Sequence, residues 1–313
     1  MTTLADIGLT VPPRHVYSQR SLIEVQPGSV FIYGSGEERS RVEAEWLTLF
    51  SSSNIYEVSH TDSIATVLIP RLSDEPLSLR SRSNFADWIR QFAGREIFID
   101  VTGLAHHVWM PLIKIALEEA AVVKCIYTEP ANYCLNRNPR PGEFYDLSEE
   151  VRGLLPIPTF SRLPSRRQEP SLLVVSLGFE GVRFRFIVET IEPNERDLIP
   201  VVGVPGFEIT YPFESYEGNA SVLSTSRSWQ RLEFADAACP FAMIDTLKRI
   251  RARFPHRAMQ IATIGTKPHA LGAMLFSLGH QDCELLFDHP KMRRSRTSGR
   301  SKVHLYDLVD YRA

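Results

Sequence analysis

The residues best suited to chemistry fall directly after short apolar runs. In Ile261-Ala-Thr-Ile-Gly265-Thr266-Lys267-Pro268-His269 an apolar run breaks at a glycine, and Pro268 suits the opening of a helix. Such a turn brings backbone N–H groups and the Lys267 ammonium together at the positive end of a helix dipole, which favours an anionic ligand. Ile97-Phe-Ile-Asp100-Val-Thr102-Gly103 has a similar layout in the first half of the chain. Gly34-Ser35-Gly36, Glu180 with Arg183, and Asp288 with His289 also follow apolar runs. The ligand-binding residues expected on this basis are Gly34, Ser35, Asp100, Thr102, Gly103, Glu180, Arg183, Gly265, Thr266, Lys267, His269 and Asp288.

Several sharper chemistries fail on spacing. Arg39 stands where G-x-G-x-x-G needs its third glycine, and no Walker loop surrounds Lys267. His106 and His107 are adjacent, so on a helix they point about 100° apart and do not share a metal easily. Cys125, Cys134, Cys239 and Cys283 form no CxxC. No metal and no cofactor is expected, and no catalytic set is assigned. Asp100, Glu129, Glu180 and Asp288 supply carboxylates, and His269 or His289 an imidazole, if two of them converge on a ligand. The plain alternatives are structural: glycines serve strand-to-helix turns, Asp100 caps the next helix, and Lys267 stands solvated beside a helix start.

The elements that must carry these turns alternate in type. Val30–Tyr33, Thr66–Ile69, Glu96–Val101 and Val122–Tyr127 read as strands in the first half, with helices near 37–50, 84–92 and 104–120 between them. The rhythm restarts with strands at 172–175, 199–204, 232–234, 259–264, 284–287 and 303–306, the last at a sheet edge. The fold class expected is α/β, as two tandem Rossmann-like lobes with mainly parallel sheets covered by helices. The boundaries expected are an extended N-terminal arm over 1–28, a first lobe over 29–154, a Pro/Arg-rich linker over 155–170 and a second lobe over 171–313.

A net charge of −2 over 313 residues gives no overall pull toward nucleic acid or membrane. One segment departs from this. Lys291, Arg293, Arg294, Arg296, Arg300 and Lys302 crowd into 12 residues without an acid, and are the candidates for nucleic-acid contact. No apolar run approaches the ~20 residues that span a bilayer. The N-terminus lacks the basic start and apolar run of a secretory signal, so no membrane association and a cytoplasmic location are expected.

Asp100-Val-Thr102-Gly103 after an apolar strand, then a helix and Cys125-Ile-Tyr127 leading to Glu129-Pro130, resembles the CARF-type ligand-sensing domains of CRISPR-associated and other antiviral systems. The resemblance covers roughly residues 28–150. It implies a Rossmann-like domain whose Thr-Gly turn lines a pocket for cyclic oligonucleotides. The family string Gly-Gly-Thr-Lys is absent after Thr102, where Gly103-Leu-Ala-His stands, while Gly265-Thr266-Lys267 supplies a similar string in the second half.

The function expected is a non-catalytic nucleotide-binding sensor or subunit of an antiviral defence complex. Its expected partners are a nucleotide or cyclic oligonucleotide, an effector protein and a second copy of the chain. Two alternatives stand beside it: a nucleotide-processing hydrolase or glycosidase, and a structural subunit contacting nucleic acid through 291–302.

Overall fold

The computed structural model describes residues 14–61, 63–119, 122–140, 142–162 and 170–311. Among them the chain is mixed α/β, with seven α-helices and two six-stranded sheets whose strands run mostly parallel.

The first sheet has the order Arg14–Tyr17, Val303–Asp307, Val122–Thr128, Glu96–Asp100, Val30–Tyr33, Ile55–Glu57. The last four are mutually parallel, and the first two form an antiparallel edge. Val30–Tyr33 is buried along its whole length, because both faces of the sheet are covered. On one face Phe31 stacks on Trp46 of helix α1 (Ala44–Leu49) at 4.5 Å and on Phe50 at 5.0 Å. Helices α2 (Arg82–Arg90) and α3 (His106–Glu118) pack with the aliphatic side chains Ile32, Ile97 and Ile99 on the other.

The second sheet has the order Leu155–Pro156, Cys283–Phe287, Met259–Thr263, Leu172–Ser176, Leu198–Gly203, Glu233–Ala235, parallel apart from its first strand. Counting its five parallel strands along the chain gives the spatial order 3-2-1-4-5. The connecting helices are α4 (Gly181–Ile191), α5 (Tyr211–Thr225), α6 (Pro240–Arg253) and α7 (Lys267–Leu278).

Two helices make the seam between the halves. Eleven of the thirteen residues of α3 are buried, and ten of the twelve of α7. A helix apolar on every side must be covered on every side, and α3 and α7 pack against each other between the two sheets. Pro111 lies inside α3.

Three expectations need correction. Val303–Asp307, assigned to the second lobe and to a sheet edge, lies inside the first sheet, between Val122–Thr128 and Arg14–Tyr17. The stretch 171–313 is therefore not one unit. Val303 to Tyr306 are all buried there, and they cover a strand edge that would otherwise stand open. The 1–28 arm divides: residues 1–13 lie outside the described residues, and Arg14–Tyr17 is the outer strand of the first sheet. In the 155–170 linker, Leu155–Pro156 is an edge strand of the second sheet, and 163–169 lie outside the described residues.

Candidate ligand cleft between the two sheets

The carboxyl ends of the parallel strands in the two sheets meet across a cleft of about 990 Å³ of atom-free space. In each sheet the chain leaves neighbouring central strands in opposite directions. The backbones come very close there. A Cβ on Gly103 would lie 1.9 Å from the Gly34 carbonyl oxygen and 2.2 Å from Ser40 Oγ, and one on Gly265 would lie 2.7 Å from the Leu177 carbonyl oxygen. Both glycines are there for backbone approach.

Lys267 ties the two turns together. Thr266 caps α7, accepting from the His269 N–H at 3.3 Å and donating its hydroxyl to the Ala237 carbonyl at 2.7 Å. Lys267 then opens the helix, and its Nζ donates to the carbonyls of Val101, Thr102 and Leu104 at 2.5, 2.5 and 2.8 Å. Part of the residue faces the cleft, but its charged end is surrounded by protein. Burial pushes the ammonium down to about 7, against the pull of Glu37 and aided by Arg296 and Arg39. Lys267 thus contributes charge to the cleft while its N–H bonds hold the Asp100–Leu104 turn.

Arg39 and Arg296 flank Glu37. Arg39 Nη1 reaches Glu37 Oε2 at 3.1 Å and Thr297 Oγ1 at 2.5 Å, its Nε donates to the Thr128 carbonyl at 2.9 Å, and Arg296 grips Glu37 Oε1 with two nitrogens. Burial alone would raise the Glu37 carboxyl, but Arg296 and Arg39 hold it below its ordinary value. Counting Lys267, three cations face Glu37 and the rim carboxylate Glu180, so positive charge is in excess.

Aromatic rings line the same cleft. Phe179 stacks on Tyr145 at 4.2 Å and meets Tyr133 and Tyr211 edge-on, each at 5.2 Å. Tyr127 and Phe207 form a second pair at 5.9 Å. Tyr127, Tyr133, Phe179, Phe207 and Tyr211 all line the cleft. No protein-family model matches the chain, and no curated protein matches it.

The residues singled out by sequence divide into three groups. Gly265, Thr266, Lys267, Glu180 and Arg183 line this cleft, and Thr102 and Gly103 line an adjoining chamber. Asp100, His269 and Asp288 are fully buried beneath the turns. Asp100 accepts the Thr102 N–H at 2.8 Å, and burial pushes its carboxyl up. His269 meets the Asp236 carbonyl at 3.1 Å, and burial pushes it down to about 4. Asp288 accepts from Arg183 Nε and Nη2, each at 2.7 Å. Gly34 packs against Leu104, and Ser35 turns outward to Glu57 at 2.5 Å, away from the cleft. Glu180 is taken by the N–H groups of Leu147 and Ser148 and the Ser148 hydroxyl.

The basic segment is tied back to the first half of the chain. Lys291 pairs with Glu149, Arg293 with Asp146, Arg296 with Glu37 and Arg300 with Glu43. Arg294 and Lys302 are exposed.

Arg39, Phe179, Phe207 and Tyr211 were not among the expected site residues. A signal for two of them was present. Gly178-Phe179 and Gly206-Phe207 each set a large aromatic directly after a buried strand, on the ligand side of the sheet, where a turn has no core to fill. Cys125, Cys239 and Cys283 are buried free thiols, as their apolar surroundings imply, and Cys134 is exposed. No helix among the described residues is long and apolar enough to cross a membrane.

Proposed function

We propose that the protein binds a nucleotide-class ligand in the cleft between its sheets and passes that event to a partner without transforming the ligand. The observation that carries this is one cleft lined by both aromatic rings and cationic side chains. Phe179, Tyr211 and Phe207 offer faces to a base, and Arg39, Lys267 and Arg296 offer charge to phosphate. Stacking contributes about 1–3 kcal/mol per base, and charge-assisted contacts add to it. The second sheet's 3-2-1-4-5 order supports treating it as a Rossmann-like lobe, in which ligands bind where the strand order reverses. Leu177–Gly178 and Ile264–Gly265 stand at that point and line the cleft. The resemblance of 28–150 to CARF-type sensing domains belongs to the same proposal.

The carboxylates available for turnover have other work. Glu180 is bound by backbone, Asp288 by Arg183, and Glu129 by His304 at 2.5 Å, while Asp100 lies under its turn. This supports binding over chemistry.

The test is a thermal-shift panel of mononucleotides, dinucleotides, cyclic oligonucleotides and duplex DNA at low and moderate salt. A ligand at 100 times its Kd adds about 2.7 kcal/mol of stability. A selective shift with one nucleotide class is expected, and Phe179→Ala should lose it. No shift with any nucleotide overturns the proposal.

A further inference from the structure

A second chamber, of about 880 Å³ of atom-free space, adjoins the cleft at the first sheet's turn. His106, Lys267, Met292 and Arg296 line both spaces and form the partition between them. Leu104 and Ala105 before α3, and His106 and His107 that open it, line the chamber, and the His107 and His289 ring centroids are 4.8 Å apart there. His289 holds a left-handed backbone at φ 44°, uncommon for a side-chain-bearing residue.

These imidazoles are buried and unanswered. His106, His107 and His289 are 7, 8 and 5% exposed, and five of their six ring nitrogens lie buried with no hydrogen-bond partner in the protein. Buried polar groups are nearly always paired, so the chamber is built for a polar occupant. The charge around it decides which. Arg152, Lys267 and Arg296 stand against Glu37 alone among the lining residues, and α3 adds the positive end of its dipole. A cation would be repelled, and among the described residues no group of three His, Cys, Asp or Glu can hold a metal ion.

We propose that this chamber is a site for a phosphate-class anion, met by His106, His107 and His289 beside Lys267, Arg296 and the N-terminus of α3. The site stands whether or not the cleft takes a nucleotide. The anion is either free or the phosphate of a ligand that reaches past the partition. Its binding is coupled to protons. Burial holds His107 down to about 3 and lowers His106 and His289, helped at His106 by Lys267 and Arg183 and opposed at His289 by Asp288. Exposed His60 lines the chamber too, with its ring 6.2 Å from that of His107. A bound anion favours the charged imidazoles and the charged form of Lys267, which burial holds down to about 7, so binding takes up protons and strengthens as pH falls.

Sulfate does not titrate between pH 5.5 and 7.5, so its affinity reports the protein's protons. Calorimetry with sulfate at both pH values, in two buffers of different ionisation enthalpy, should show proton uptake and binding at least about threefold tighter at the lower pH. His107→Gln with His289→Gln should weaken it about tenfold or more, and Arg152→Gln less. Adenosine monophosphate displacing sulfate assigns the chamber to a ligand's phosphate, and inorganic phosphate alone displacing it assigns it to the free anion. Absence of saturable sulfate binding to the wild-type protein, or affinity independent of pH and equal in Arg152→Gln and the folded double variant, overturns the proposal.

Discussion

Lys267 Nζ lies 2.5 Å from the carbonyl oxygen of Thr102, and the bond joins the start of a helix on one sheet to the strand-end turn of the other. Because the same ammonium also takes the carbonyls of Val101 and Leu104, one side chain fixes the relation between both turns that border the cleft. Lys267→Met removes the donor from three carbonyls at once. The expected loss is about 2–3 kcal/mol in urea unfolding, with larger losses opposed by relief from burying a charge. An unchanged urea midpoint would show that the bridge contributes nothing.

Arg183 and Asp288 make a bidentate pair with both side chains out of solvent. Asp288→Ala leaves a buried guanidinium without its counter-charge, and about 3–5 kcal/mol of stability should go with it. Replacing both residues, as Arg183→Met with Asp288→Leu, should recover most of that. A double variant no more stable than the single one would contradict this.

Acid should weaken the fold through His269. Burial holds it down to about 4 in the folded protein, while in the unfolded chain it titrates near 6.5. Between those values the unfolded chain carries the extra proton, so stability present above about pH 6.5 is lost as pH falls toward 4. His269→Gln does not titrate. Its stability, followed by urea unfolding from pH 7 to 4.5, should therefore fall less steeply than the wild type, by up to about 1.4 kcal/mol per pH unit. Parallel pH profiles would rule out His269 as a source of acid sensitivity.

The basic segment should bind duplex DNA poorly. Four of its six cations already face carboxylates, which leaves Arg294 and Lys302 as ready phosphate contacts. Two contacts give a log–log salt slope of about −2, whereas six would give about −5. Fluorescence anisotropy between 50 and 200 mM salt separates the two cases.

The parts of the fold that sequence revealed are those made by local pattern. Leu172–Val175 and Ile97–Ile99 are continuous apolar runs because helices cover both faces of their sheets, and such runs are visible in one dimension. Val303–Asp307 has the same look, yet its partner, Val122–Thr128, lies far back in the chain, and no periodicity announces such a pairing. The candidate site divides on the same line. The Gly265-Thr266-Lys267 turn is local and could be placed on the cleft. Whether the Lys267 ammonium would meet a ligand or the carbonyls of Val101, Thr102 and Leu104 depended on the packing of α3 against α7. The Arg39–Glu37–Arg296 group joins residues from opposite ends of the chain, and only the return of the C-terminal strand to the first sheet brings them together.

The central claim is that one ligand engages both the aromatic rings and the cationic side chains of the cleft. Calorimetric titration of adenosine and its mono-, di- and triphosphates into the wild-type protein and Phe179→Ala tests it directly. Affinity should rise with each added phosphate, with a loss of about tenfold or more in Phe179→Ala across the series, as expected for one stacked base. No binding of any member, or equal affinity in the two proteins, would contradict it.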